Sequence, residues 1–166
     1  MSYDRGFTLL ELLVVLVIIG LFSGMVMLAV TPNEDRIAQR EANRLMQVIE
    51  LAQDEAIMQG VELGLIVQPD HYYFSRLQDN NWLPLVNDTQ FAVHQLNSAL
   101  MMTLDVEDEN VVQKIADDSM VPAVMVLSSG ELTAFKLSLF SLEQPDKKFQ
   151  IIGQENGQLS LQMPSD

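Results

Sequence analysis

Apolar residues near the start of the chain form one long segment without a charge. The nineteen residues from Leu12 to Val30 include no lysine, arginine, aspartate or glutamate. At about 1.5 Å of rise per residue, a helix of this length crosses the roughly 30 Å hydrocarbon core of a bilayer. The pattern therefore predicts a single membrane-spanning helix.

Two other interpretations of this apolar segment are weaker. A core helix of a small domain would carry a polar face, and this segment is apolar all round. A cleaved secretory signal would have a basic start, a shorter apolar stretch and a cleavage site flanked by small residues. The residues from Met25 to Val30 offer no such site.

A second, amphipathic helix is predicted directly after the apolar segment. Thr31 fits the N-cap, Pro32 the first helical position, and Glu34 the acidic partner of a capping box. Apolar residues then recur at spacings of three and four until Gly60, a residue type that commonly ends helices. This stripe contains Ile37, Ala38, Ala42, Leu45, Met46, Ile49, Ala52, Ala56 and Ile57. The opposite face, interpreted as solvated, carries Arg36, Arg40, Glu41, Arg44, Glu50, Asp54 and Glu55.

After Gly60 the spacing of apolar residues changes to two, which is typical of strands. Alternation from Val61 to Val67, a turn at Pro69-Asp70 and a return strand from His71 to Leu77 predict a hairpin. Further strands are predicted at Phe91 to Leu96, Met101 to Val106, Ala123 to Leu127, Leu132 to Phe140, Phe149 to Ile152 and Gln158 to Met163. Strands without intervening helices favour antiparallel sheets, so the predicted fold class is α+β.

Turn residues separate several of these strands. Asp79-Asn80-Asn81 and the segment from Ser128 to Glu131 are predicted turns, and Asn156-Gly157 has the composition of a two-residue hairpin turn. The stretch from Asp105 to Ser119 is acidic and has no clear period, which predicts an excursion between strands.

Charge and composition narrow the possible partners. The chain has 166 residues, a formal net charge of −14 and no cysteine. Its length suits one compact domain with an attached element. The negative field disfavours nucleic acids and anionic headgroups as partners, and the lack of thiols excludes disulfides and thiolate metal sites.

No constellation in the sequence predicts catalysis, a metal or a cofactor. The acidic residues from Asp105 to Glu109, with Asp117 and Asp118, lack the offsets of an EF-hand loop. His71 and His94 lack a metal-ligand spacing, and no serine stands in a nucleophile-elbow motif. Other residues that could suggest a ligand site are interpreted as core or loop packing, namely Trp82, Met101, Met102 and Met120.

Glu11 is an anomaly, because it places a carboxylate inside a run of apolar residues that begins at Phe7. A charged group in a membrane helix costs about 2.5 to 3.5 kcal/mol at the helix centre and less near an end. Glu11 either reaches the headgroup boundary or meets a positive charge supplied from elsewhere. The residues alone leave both possibilities open.

The segment Arg5-Gly6-Phe7-Thr8-Leu9-Leu10-Glu11, followed at once by the apolar helix, resembles the N-terminus of type IV prepilins and type II secretion pseudopilins. The resemblance implies that a prepilin peptidase cuts between Gly6 and Phe7 and that Phe7 becomes N-methylated. It also implies that Glu11 pairs with the terminal amine of a neighbouring subunit. The implied divisions are a leader at 1–6, a transmembrane helix at 7–30, an amphipathic helix at 31–60 and a periplasmic β domain at 61–166.

A second resemblance lies in the segment from Ser129 to Phe135, which is similar to the SGE-x-T-x-F hairpin of the minor pseudopilin H group. This likeness implies a pilin-like fold and a structural, non-enzymatic subunit of a type II secretion pseudopilus. It implies a single-pass inner-membrane protein that assembles with other pseudopilins. A minor type IV pilin acting in pilus assembly, adhesion or DNA uptake is the alternative, although no basic patch for DNA follows Lys148.

Overall fold

The computed structural model describes residues 9–29, 34–106 and 121–164 and divides the chain into two compact units, Met1–Asn33 and Glu34–Asp166. In the first unit, helix α1 spans Leu9–Ala29. In the second, helix α2 spans Glu34–Gln59 and precedes all the strands. The predicted cap residues Thr31 and Pro32 lie outside the described residues, as do Gly6 and Phe7.

Helix α2 is amphipathic, as predicted. Its buried residues are Ala38, Ala42, Leu45, Ile49, Ala52 and Ala56. The prediction was wrong for Ile57, which keeps 52% of its surface exposed near the end of the helix. Gly60 ends α2 in a left-handed conformation at φ 64°, and the Val61 N–H donates to the Ala56 carbonyl at 3.1 Å. This six-residue closure is the Schellman arrangement, so the predicted role of Gly60 is confirmed.

Two antiparallel sheets follow α2 in the described part of the chain. Strands β1 to β9 span Leu63–Val67, His71–Gln78, Asn81–Pro84, His94–Gln95, Leu100–Val106, Val124–Val126, Phe135–Ser141, Lys148–Gly153 and Leu159–Gln162. Sheet A has the order β3-β2-β1-β6, with β4 paired to the other end of β2. Sheet B has the order β5-β7-β8-β9. The predicted α+β class with antiparallel sheets is confirmed.

Strand β1 is more buried than its alternating sequence predicted. Leu63, Gly64, Leu65 and Ile66 are all buried, because β1 lies between β2 and β6 and is covered on both faces. On one face, a Cβ added at Gly64 would lie 2.3 Å from the Pro122 ring and 3.1 Å from Trp82. A central strand that is packed on both faces cannot be recognised by alternation alone.

The hairpin turns differ from the predicted ones in type. Asp79 and Asn80 both have positive φ, at 49° and 64°, which makes β2 to β3 the two-residue hairpin. Asn156-Gly157 instead forms part of a three-residue loop, because the Gln154 N–H donates to the Gln158 carbonyl and only Gly157 has positive φ. This is the turn-plus-bulge form of hairpin that places glycine in the left-handed position.

Two predicted strands are shorter than expected. The strand predicted from Phe91 to Leu96 is reduced to β4, because Phe91 turns inward and packs on Phe74 with ring centroids 5.2 Å apart. The strand predicted from Leu132 begins only at Phe135, after an isolated bridge between Val126 and Leu132. Most of the predicted acidic excursion lies outside the described residues, and its first residues end β5.

The second unit should fold without the apolar helix. Its buried core cluster draws on α2 and both sheets, from Ala38 to Ile151. We therefore expect a truncated chain beginning at Thr31 to be monomeric and folded in water, without detergent. Size-exclusion chromatography and circular dichroism measure this. An aggregated or unfolded truncated chain would show that the core is incomplete without residues 1–30.

Position 153 has no room for a side chain, because the ring of a residue on the adjacent strand occupies that space. Gly153 pairs with Phe135, and a Cβ at position 153 would lie 2.2 Å from Cε1 of that ring. Gly153→Ala should lower the free energy of unfolding by about 1 to 3 kcal/mol through overpacking. Urea denaturation of the truncated chain measures the effect, with Ser160→Ala on exposed β9 as the control. The cost should shrink when Phe135 is also changed to Leu, and an equal cost in both backgrounds would contradict this explanation.

Candidate functional site

Among the three residues of the predicted processing and assembly site, Glu11 is the one that the structure describes. It lies in the first turn of α1 and is exposed. A carboxylate at a helix N-terminus gains about 0.3 to 1 kcal/mol from the helix dipole. This gain is smaller than the cost of a charge deep in a membrane, so the dipole alone does not account for Glu11.

In the first half of α1, the apolar side chains from Leu9 to Ile19 point to all sides. Exposed fractions range from 85% at Leu9 to 42% at Val15, and Ile19 remains 55% exposed. Glu11 is the charged residue in this helix. Within the described part of the chain, no helix meets the combined length and hydropathy expected of one that crosses a bilayer.

The segment that resembles the H-group hairpin, Ser129 to Phe135, forms the connection between β6 and β7. Gly130 adopts φ 89°, and its N–H donates to the Leu127 carbonyl at 2.9 Å. The Ser129 hydroxyl bonds with the Glu131 carboxylate at 3.0 Å. Each polar residue of this turn therefore has a local structural partner, which explains the need for glycine and short polar side chains there.

Thr133 and Phe135 complete the same segment in the interior. The Thr133 hydroxyl accepts the Met125 N–H at 3.0 Å, and the Thr133 N–H donates to the Met125 carbonyl at 3.0 Å. These two bonds lie on the edge of β6 that does not pair with β1. Phe135 is buried above Gly153 and begins β7. The segment thus joins sheet A to sheet B.

Gln53 connects the two glycine turns. Its side-chain amide donates to the Gly157 carbonyl at 2.8 Å and lies 3.5 Å from the Gly130 carbonyl. The turns approach so closely that a Cβ at Gly157 would lie 2.3 Å from the Gly130 oxygen. One helix side chain therefore holds the hairpin tips of both sheets together.

Glu62 has a similar linking role at the beginning of sheet A. Its carboxylate accepts the Ser128 N–H at 3.1 Å and the Ser128 hydroxyl at 2.9 Å. Sequence reasoning missed both Gln53 and Glu62. Glu62 stands between apolar Val61 and Leu63, which was an available signal, whereas Gln53 precedes Asp54 and gave none. The partners of both residues lie more than 60 positions away.

The two histidines lie on paired strands and contact different carboxylates. His71 Nδ1 is 2.7 Å from Asp70 Oδ1, and this hydrogen bond lowers the pKa of Asp70. His94 Nε2 is 2.9 Å from Glu41 Oε2 and 3.2 Å from Arg44 Nη1. A neutral ring nitrogen can donate to the first or accept from the second, but it cannot do both.

Tyr72 packs beside His94 with ring centroids 5.1 Å apart. Its hydroxyl is buried and has no hydrogen-bond partner among the described residues. Burial raises the pKa of Tyr72 to about 12, partly offset by the charge of Arg44. This phenol stays protonated at neutral pH and packs as an aromatic group.

The described residues contain no cluster of metal ligands. No group of three or more histidine, aspartate or glutamate side chains there could hold a metal ion. One open groove of about 550 Å³ lies beside Lys136 and Gly153, and another of about 520 Å³ lies beside β5 and Pro69. Neither groove is lined by a histidine.

Three of the residues that the sequence analysis assigned to core or loop packing lie in the described part of the chain, and all three are at least half-buried. Met102 is buried in the core, and Met101 and Trp82 are half-buried. Met120 lies outside the described residues, as does most of the acidic segment considered for calcium.

Comparison with known proteins gives two family matches along the chain. A profile described as the prokaryotic N-terminal methylation motif matches residues 1–27. A profile described as type II transport protein GspH matches residues 41–157. The two matches cover the apolar helix and the α2–β region respectively.

Individual relatives agree with these profiles. A Pseudomonas aeruginosa protein named type II secretion system protein H is 34% identical over 151 residues, covering 84% of each chain. The Vibrio cholerae protein of the same name is 29% identical over 190 residues, covering 100% of this chain and 98% of that one.

A solved structure agrees with these sequence relatives. The crystal structure of EpsH, a minor pseudopilin of the V. cholerae type II secretion system, is 29% identical with a TM-score of 0.67. It covers 81% of this chain and 99% of that one. The chain therefore belongs to the type II secretion protein H family.

Proposed function

We propose that this chain is a minor pseudopilin, a structural subunit of the type II secretion pseudopilus that helps export folded proteins across the outer membrane. The observation that carries the proposal is the presence of both family matches in one chain, a methylation motif at 1–27 and the H-family region at 41–157. Its partners would be the prepilin peptidase and other pseudopilins.

The location follows from the same division of the chain. The leader at 1–6 would remain on the cytoplasmic side, residues 7–30 would cross the inner membrane, and the later residues would lie in the periplasm. The absence of charge from Leu12 to Val30 and the acidic, folded second unit support this division. Orientation rests on the family, since Arg36, Arg40 and Arg44 follow the apolar segment and do not favour a cytoplasmic N-terminus.

The proposed role is structural rather than enzymatic. Residues of the H-group hairpin serve the fold itself. Gly130 forms the turn, and the Thr133 hydroxyl hydrogen-bonds with the edge of a strand. Gln53 and Glu62 bond to the same region. These contacts stabilise the fold of the domain, whose exposed surface would contact other pseudopilins.

Glu11 is the residue that we assign to assembly. A leucine there would insert into a bilayer at least as well, so the carboxylate is favoured by some interaction other than insertion. Cleavage before Phe7 would create an ammonium group at the new N-terminus. Pairing of this ammonium in one subunit with Glu11 of the next would offset the desolvation of both charges.

Processing gives the first test of this function. Gly6 has no side chain, which suits close approach of a peptidase to the backbone, so Gly6→Leu should abolish cleavage. Intact-mass measurement of the membrane-extracted protein should show wild type beginning at Phe7 with one added methyl group. Ser2→Ala, in the same leader, is the control that should be processed normally. A mature N-terminus at any other residue would contradict the assignment.

Replacement of Glu11 separates assembly from insertion. Glu11→Leu should be cleaved and inserted like wild type but should incorporate poorly into the filament, because a neighbour's ammonium loses its partner. Crosslinking to other pseudopilins and secretion of a native cargo measure this, and both should fall by about tenfold or more, since leaving a buried charge unpaired costs about 3 to 5 kcal/mol.

Two further variants sharpen the Glu11 test. Glu11→Asp keeps the charge but is one methylene shorter, so it should restore part of the incorporation. Leu12→Val replaces the neighbouring apolar residue with another apolar residue, so no charge changes, and this variant should behave like wild type. Normal incorporation and secretion by Glu11→Leu would instead leave Glu11 as a residue that reaches the headgroup boundary.

A further inference from the structure

The last strand of sheet B has backbone groups that no other strand uses. Strand β9, Leu159–Gln162, forms one edge of the sheet and pairs with β8 alone. The Gln154 N–H donates to the Gln158 carbonyl at 2.9 Å, so positions 154 and 158 form a hydrogen-bonded pair. Bonded and non-bonded pairs alternate along an antiparallel ladder, so Leu159 and Leu161 occupy non-bonded pairs. The N–H and C=O groups of these two leucines therefore point away from β8, and they have no backbone partner among the described residues.

The edges at β5, β6 and β3 are each closed or interrupted. At β5, the Met102 N–H donates to the Pro69 carbonyl at 3.0 Å. At β6, the Met125 N–H donates to the Thr133 hydroxyl at 3.0 Å. Strand β3 ends in Pro84, which has no N–H to offer. Strand β9 contains neither a proline nor a charge, which are features that commonly protect an edge from further pairing.

Helix α2 runs beside this free edge. Just before β9, the Gln53 side-chain amide donates to the Gly157 carbonyl at 2.8 Å. Just after β9, the Gln39 side-chain nitrogen lies 3.8 Å from the Met163 sulfur. Because Gln39 precedes Gln53 in the helix, α2 is antiparallel to β9. The two glutamines are fourteen residues apart, close to four helical turns, so they lie on one flank of α2.

The same flank of α2 carries an acidic residue beside the edge. Asn43, Met46 and Glu50 follow Gln39 by four, seven and eleven residues, spacings that keep side chains on one side of a helix. Met46 packs against the core, while Asn43 and Glu50 are exposed. Glu50 forms no ion pair with another described residue. A segment added to β9 would therefore lie beside an unpaired carboxylate.

We propose that the free edge of β9 binds an extended segment of a partner chain that carries lysine or arginine, as a fifth strand of sheet B. The segment hydrogen-bonds with the outward groups of Leu159 and Leu161 and directs a basic side chain towards Glu50. The inference goes beyond the proposed function and does not depend on it, because it concerns the second unit alone.

A second copy of this chain is a poorer occupant of the edge. The chain has no lysine or arginine after Lys148, so a second β9 would bring no cation to Glu50. Two copies would also repel each other, since each has a net charge of −14. Charge complementarity therefore favours a basic strand from a different chain.

Amide hydrogen exchange of the full-length chain in detergent micelles tests the edge directly. The probe is an eight-residue peptide that alternates threonine and lysine. With this peptide at about ten times its dissociation constant, exchange at Leu159 and Leu161 should slow by about tenfold. Ser160 and Gln162 already bond to β8 and should change little. A peptide that alternates threonine and glutamate is the matched control and should protect neither leucine.

Two substitutions separate the backbone from the charge. Leu161→Pro removes an outward N–H that β8 does not use, so the ladder should remain while the peptide no longer protects Leu159. Leu161→Val keeps this N–H and should retain the protection. Glu50→Lys should weaken binding of the lysine peptide by about threefold or more. Glu143→Lys makes the same change of charge at an exposed position after β7 and should have little effect.

Several outcomes would overturn the proposal. Equal protection by the lysine and glutamate peptides, or unchanged affinity in Glu50→Lys, would refute the basic partner. Undiminished protection of Leu159 in Leu161→Pro would refute use of the edge. Protection that rises with protein concentration in the absence of peptide would assign the edge to a second copy instead.

The test remains decisive if Leu161→Pro does not fold. Circular dichroism detects such unfolding, and the wild-type and Glu50→Lys measurements do not require the proline variant. Cleavage after Gly6 and incorporation of the Glu11 variants are measured separately. A chain that is processed and incorporated but whose β9 amides are never protected by the lysine peptide would refute this contact and leave the proposed function intact.

Discussion

The second unit depends on one narrow apolar stripe that two sheets share. Four of the six buried residues of α2 are alanines, Ala38, Ala42, Ala52 and Ala56. Small side chains allow strands to approach a helix closely, and the larger Leu45 and Ile49 lie buried between the two pairs of alanines. Because both sheets contribute to the same buried cluster, neither has a core of its own. The helix therefore fixes the position of each sheet relative to the other.

Close approach at the end of the helix explains the polar links found there. The turns containing Gly130 and Gly157 touch because the two sheets meet beside the last turns of α2. At such a distance their carbonyl oxygens need a donor, and Gln53 supplies it. Glycine is required twice at this junction, once for a positive φ and once for the absence of a Cβ. The glycine and short polar residues of the H-group hairpin thus have a structural reason in the packing of these two turns.

The sequence predicted features governed by local rules and missed those governed by packing between distant segments. The period of α2 and its end at Gly60 follow from helix geometry and from the left-handed preference of glycine, and both were confirmed. Burial of both faces of β1 depends on β6 and Pro122, which lie some sixty residues later. The tight hairpin turn formed at Asp79-Asn80 rather than at Asn156-Gly157, because contact with Gly130 and Gln53 decides the second turn.

The family resemblance supplied what local rules could not, namely the proposed roles of Gly6, Phe7 and Glu11. Glu11 places a carboxylate inside an apolar helix, where desolvation disfavours a charge. An apolar side chain at this position would avoid that cost in a protein that acts alone. A subunit can offset the cost when a neighbouring chain brings an opposite charge close, so Glu11 is a position where an assembly contact is to be sought.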